Sequence, residues 1–164
     1  LKSQGVSVIF DNRTTYRPGA KFAQHELQGV PLRIAIGPKD LENGTLELAR
    51  RDTLTKSTVK LDEIAMTVID SLGQIQNELY QKALKYRDNH ITEVDDFDEF
   101  KKILETKNGF ISAHWDGSSE TENKIKDMTK ATIRCIPLDN KVENGRCVLT
   151  GRPSTQRVLF AKAY

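Results

Sequence analysis

The chain has 164 residues, 37% hydrophobic and 29% charged, a balance that suits folded water-exposed domains and excludes a disordered or fibrous polymer. No apolar run approaches the roughly eighteen residues of a membrane span, and two cysteines, Cys135 and Cys147, are too few for a disulfide scaffold and suit a reducing compartment. The net charge of +2 is uneven: residues 1–60 carry ten lysines and arginines against six carboxylates, giving +4 there and −2 in the remainder, so an anionic partner is expected for the first part only.

The start, Leu1-Lys2-Ser3-Gln4, has neither an initiator methionine nor the layout of a signal peptide. Val6–Phe10 is a β-branched run that predicts a buried strand. Pro18 and Gly29 bracket a helix in the Pro-first, Gly-last manner, with Ala23 and Leu27 on one face and Phe22 and Glu26 on another. Leu32–Ile36 and Leu46–Arg50 alternate around Asn43-Gly44, which predicts a hairpin closed by a type I′ turn. From Leu61 to about Tyr86, an apolar stripe through Ile64, Val68, Leu72, Ile75 and Leu79 predicts a long helix, with Asp62 as its cap and Leu61 and Met66 as a hydrophobic staple.

The polar stretch Asp88–Asp95 reads as a linker, dividing the chain into residues 1–88 and 89–164. Beyond it, Asp96 with Glu99 and Ser119 with Glu122 are spaced as capping boxes for two helices. Gly109–Trp115, Ala131–Ile136 and Gln156–Ala161 read as strands, and Asn144-Gly145 as a second turn. The pattern is one of two small α/β units.

Complete catalytic constellations are missing. There is no phosphate-cradling glycine loop, no G-x-S-x-G elbow and no His-Glu-x-x-His. His25, His90 and His114 lack partners at metal-ligand spacing and read as surface or packing residues. Cys135 and Cys147, twelve apart, read as two buried thiols.

Specificity lies in longer strings. Phe10-Asp11-Asn12-Arg13, Arg17–Phe22 (RPGAKF), the run Gly29–Gly44 (GVPLRIAIGPKDLENG) and Ala49–Thr53 (ARRDT), taken in order, resemble the anticodon-binding domain of prolyl-tRNA synthetases, which are class II aminoacyl-tRNA synthetases. Arg134–Pro137, Gly145–Val148, Gly151–Pro153 and the ending Val158–Tyr164 resemble the C-terminal domain of the eukaryote/archaeon-like subgroup. The resemblance covers essentially the whole chain. It implies an α/β fold: a mixed-sheet anticodon-binding domain, without its first strand and helix, followed by a small α+β domain. It further implies a cytoplasmic proline–tRNA ligase working in protein biosynthesis, whose catalytic domain lies upstream in the same chain. That enzyme would take ATP and Mg²⁺, bind tRNA(Pro) and form a homodimer, with no DNA or membrane partner. The segment itself would supply tRNA selection rather than chemistry and hold no cofactor. A stand-alone RNA- or protein-binding module descended from the family is the alternative.

Single-stranded bases are read along their polar edges and stacked on aromatic or guanidinium planes. Guanine offers two acceptors on one edge and N–H donors on the other, so a reader wants a cation and a carboxylate. The resemblance places the guanine-reading positions at Glu26, Arg33, Lys39 and Asp40, with Lys56 as a further lysine and Phe22 as the packing neighbour. Of Arg50-Arg51, one has a plain alternative in pairing with Asp52 or contacting phosphate. Many relatives hold zinc on four cysteines. Here those positions fall at Asp116, Thr121, Cys147 and Leu149 or Thr150, a set that predicts no zinc. The resemblance also gives Tyr164, the last residue, a supporting role at the active site of the whole enzyme.

Overall fold

The computed structural model describes residues 1–162. They form two compact units, Leu1–Lys82 and the part from Ala83 onward, each described by itself.

The N-terminal unit opens with a 3₁₀ turn, Lys2–Gln4. Helix α1 follows (Pro18–Leu27), then strand β1 (Leu32–Ala35), the short helix α2 (Pro38–Glu42), and strands β2 (Thr45–Arg50) and β3 (Lys56–Lys60). The sheet order is β1-β2-β3, antiparallel throughout, with Arg33 opposite Ala49, Ala35 opposite Glu47 and Ala49 opposite Lys56. Strand side chains alternate between faces. One face therefore carries Leu32, Ile34, Leu46, Leu48 and Val59, which pack with Ile64, Val68 and Leu72 of helix α3 (Ile64–Asn89). The other carries Arg33, Ala35, Glu47, Ala49, Lys56 and Thr58. Arg50, at the end of β2, ties the sheet to the helix by pairing with Asp52 (2.7 Å) and Glu78 (2.8 Å).

The second unit holds a four-stranded sheet of order β4-β5-β9-β6, from β4 (Ile91–Glu93), β5 (Phe110–His114), β6 (Ala131–Cys135) and β9 (Arg157–Lys162). The β4–β5 pair is parallel and the other two are antiparallel. Helices α4 (Phe97–Thr106) and α5 (Ser119–Thr129) contribute Phe100 and Ile125 to a core shared with Ile111, Ala113, Val158 and Phe160. A two-strand ribbon, β7 (Gly145–Arg146) with β8 (Pro153–Ser154), completes it.

Several expectations are corrected. Val6–Phe10 is not a strand: among the described residues nothing pairs with it, and Ile9 and Phe10 are 72% and 85% exposed. β-branched composition favours an extended chain but makes no sheet without a neighbour to supply the ladder. Asn43-Gly44 closes no type I′ turn. Asn43 is right-handed helical and ends α2, leaving Gly44 alone at positive φ, because Pro38 starts a helix whose Asp40 carboxylate accepts from the Gly37 N–H (2.7 Å). Strand β3 had no counterpart in the sequence reading. The long helix begins at Ile64, three residues late, and Met66 is 66% exposed rather than stapled to Leu61.

In the supposed linker, Ile91–Glu93 is β4. The cap of α5 is Ser118, not Ser119; its hydroxyl accepts from the Thr121 N–H. Asn144-Gly145 is no turn, since Gly145 lies in β7, where a Cβ would collide with the buried His114 ring. Cys147 is buried but Cys135, at the end of β6, is exposed.

Candidate nucleic-acid interface

The outward face of the N-terminal sheet is assembled by register. Arg33 and Lys56 flank Ala49 in one cross-strand row, and Glu47 stands two residues along β2, between Ala35 and Thr58. Diagonal neighbours at this spacing lie within reach of long side chains. Glu47 uses both oxygens: Arg33 Nη1 donates to Oε1 (3.2 Å), and Lys56 Nζ lies 3.3 Å from Oε2. From α1, Phe22 presents its ring to the Arg33 guanidinium, with Cζ 3.6 Å from the ring centroid. Cation–π attraction and the flat guanidinium suit this stack.

A groove of about 300 Å³ opens beside the row, lined by Ala35, Asp40, Glu47, Lys56, Ser57 and Thr58. Asp40 reaches it from α2. One of its oxygens caps Gly37, so the position of the carboxylate is set by the helix start. Arg33 is largely enclosed, and its Nε is buried without a hydrogen-bond partner, an unusual state for a charged group.

Of the six positions named from sequence, the structure brings four together: Phe22 on Arg33, Arg33 and Lys56 on the shared carboxylate of Glu47, and Asp40 on the same groove. Glu26 and Lys39 stand exposed on α1 and α2. Glu26 shares the Phe22 side of α1 by its four-residue spacing. The sequence reading passed over Glu47, since a charged residue in an alternating strand reads as a solvated face. Only the register shows that it faces Arg33 and Lys56. Arg50 takes the plain alternative as an ion-paired clasp; Arg51 is exposed.

Beside α1, Asp11 gathers Arg13 (2.6 Å), His25 (2.9 Å) and Lys21 (3.8 Å). The Arg13 hydrogen bond holds its carboxyl well below the usual range. This cluster fastens the loop before α1 to the helix.

In the second unit, three of the positions aligned with zinc ligands, Asp116, Thr121 and Thr150, are joined by hydrogen bonds. Asp116 Oδ2 accepts from the hydroxyls of Thr121 (2.8 Å) and Thr150 (3.0 Å), while Oδ1 accepts from the Ser118 hydroxyl (2.8 Å) and N–H (3.1 Å). Burial raises the Asp116 pKa, but these hydrogen bonds outweigh it and the net shift is downward. One thiol, two hydroxyls and a carboxylate already engaged by them do not fit a zinc ion, which takes four sulfur or imidazole donors in structural sites. Tyr164 lies outside the described residues.

Residues 1–71 match the family described as "Anticodon binding domain", so the N-terminal unit belongs to that class of domain. Residues 97–164 match "Prolyl-tRNA synthetase, C-terminal". The chain is 65% identical over 164 residues to the proline–tRNA ligase of Christiangramia forsetii, 65% to that of Flavobacterium psychrophilum, and 57% to that of Porphyromonas gingivalis. In each case all of this chain and 33% of the relative are covered. The chain thus spans about a third of the length of these relatives, and its two matched stretches are similar to the anticodon-binding and C-terminal domains of prolyl-tRNA synthetases.

Proposed function

We propose that this chain is the anticodon-recognising and C-terminal portion of a proline–tRNA ligase, and that the outward face of its N-terminal sheet reads the two guanines that end a proline anticodon. The observation that carries the reading is the Arg33 guanidinium, stacked on Phe22 and anchored by Glu47, beside Lys56 and the Asp40 groove. Arg33 and Lys56 supply donors for guanine O6 and N7, and Asp40 an acceptor for N1–H and N2–H₂. Glu26 and Lys39, exposed on neighbouring helices, are assigned to the rim of the same interface. The +4 charge of residues 1–60 draws the RNA in without reading it.

In the whole enzyme, this segment serves ATP- and Mg²⁺-dependent attachment of proline to tRNA(Pro) in the cytoplasm. The transfer chemistry and the homodimer interface are assigned to the part of the ligase outside this span, and Tyr164 to support of the active site.

The test is the affinity of the chain for a proline tRNA transcript and for one with both anticodon guanines replaced by adenine, at one fixed salt concentration, with folding checked by circular dichroism. A preference of about tenfold or more is expected, from roughly 1–3 kcal/mol per misread base, and Arg33→Ala should abolish it. Equal binding of both transcripts by the folded chain would overturn the reading.

A further inference from the structure

A guanidinium stacked on a ring is held in its plane but not about the normal to that plane, because attraction to the ring face has no preferred in-plane direction. Something else must set which way the free N–H groups of Arg33 point. Its Nε has no partner, and among the described residues Nη2 makes no hydrogen bond, so the single polar anchor is the Nη1 contact with Glu47 Oε1. The other carboxylate oxygen holds Lys56, a flexible and 58% exposed side chain that no other described residue pairs with. Without that carboxylate, two like charges would face each other across Ala49 and swing apart. The residues beside this trio, Ala35 and Ala49, are small and leave the space above the sheet open.

We infer that Glu47 is a positioning residue for base recognition: one carboxylate sets both the rotation of Arg33 on Phe22 and the place of Lys56, so that the two cations meet one base edge together. The inference rests on the anticodon reading above, and it differs from a simple charge effect in sign. Removing the carboxylate makes the face more positive, so RNA of any sequence should bind more tightly, most of all at low salt. Loss of positioning should at the same time reduce discrimination.

The experiment compares wild type with Glu47→Ala, Glu47→Gln and Glu47→Asp, using the proline transcript and its guanine-replaced counterpart. Folding is checked by circular dichroism. Glu47→Ala should bind the replaced transcript more tightly while losing most of a preference of about tenfold. Glu47→Gln, with the same net charge as Glu47→Ala but one amide oxygen left to accept from one of the two cations, should keep more of that preference than Glu47→Ala. Glu47→Asp keeps the charge but is one methylene too short to reach both, so it should lose preference without gaining general affinity. A second readout needs no RNA: the Phe22 ring should shift the side-chain proton resonances of Arg33 upfield, and Glu47→Ala should diminish that shift.

If wild type discriminates and all three variants discriminate equally well, the inference is overturned and the anticodon reading stands. If wild type does not discriminate, the anticodon reading falls and the role in recognition falls with it. An Arg33 shift left unchanged in Glu47→Ala would overturn positioning on its own.

Discussion

At the scale of single residues, the C-terminal unit depends on Asp116. Its carboxylate gathers donors from the turn after β5, the start of α5 and the segment before β8. Thr121 is buried, so Asp116→Ala leaves its hydroxyl without its anionic acceptor, and such a loss costs about 1–3 kcal/mol. Trp115 is the one tryptophan of the chain and donates its ring N–H to the Ser118 carbonyl, so its fluorescence reports this corner. Asp116→Ala should lower the thermal midpoint read at Trp115. The pH dependence has a definite sign, because the folded pKa lies below the unfolded one. The stabilisation is complete above about pH 4, where the unfolded carboxyl titrates, and is lost as pH falls through the folded value. In Asp116→Ala that part of the acid dependence should be missing.

Among the elements, those legible in the sequence carry their own period, cap or apolar run. Helix α1 follows from Pro18, α4 from Asp96, whose carboxylate accepts from the Asp98 and Glu99 N–H groups, and β9 from its unbroken apolar run Val158–Ala161. The two Asn-Gly pairs misled for a shared reason: the dipeptide permits a tight turn but does not demand one. At Gly44 a helix end uses the positive φ, and at Gly145 the missing Cβ makes room for a ring brought from β5. Strand β3 escaped because Lys56–Lys60 is mostly polar, and only pairing with β2 makes it a strand. The site was half legible for a like reason, since residue types single out Arg33 but only register links it to Glu47 and Lys56. The end of α5 yields a prediction. Lys130 caps it at φ 63, a left-handed conformation that glycine enters more readily than lysine. Lys130→Gly should stabilise the unit by about 0.5–1 kcal/mol, seen as a higher urea midpoint with an unchanged slope.

At the scale of the whole molecule, the two units have cores of unequal size. The main cluster of the N-terminal unit encloses three buried residues, Leu46, Leu48 and Val68, where the C-terminal cluster encloses nine. Since each buried aliphatic or aromatic side chain contributes roughly 1.5–3 kcal/mol, the N-terminal unit should unfold first. Far-UV circular dichroism in a urea titration should fall before Trp115 fluorescence changes; coincident curves would contradict this. The two-faced sheet of that thinner unit has a further consequence. Its inward leucines and isoleucines fix the fold, while Arg33, Glu47 and Lys56 project from the opposite face of the same strands. Exchanging those three side chains leaves the buried layer as it is. On the proposed anticodon reading, the vocabulary of bases that the unit accepts is therefore open to redesign, or to drift between lineages, without repacking the interior.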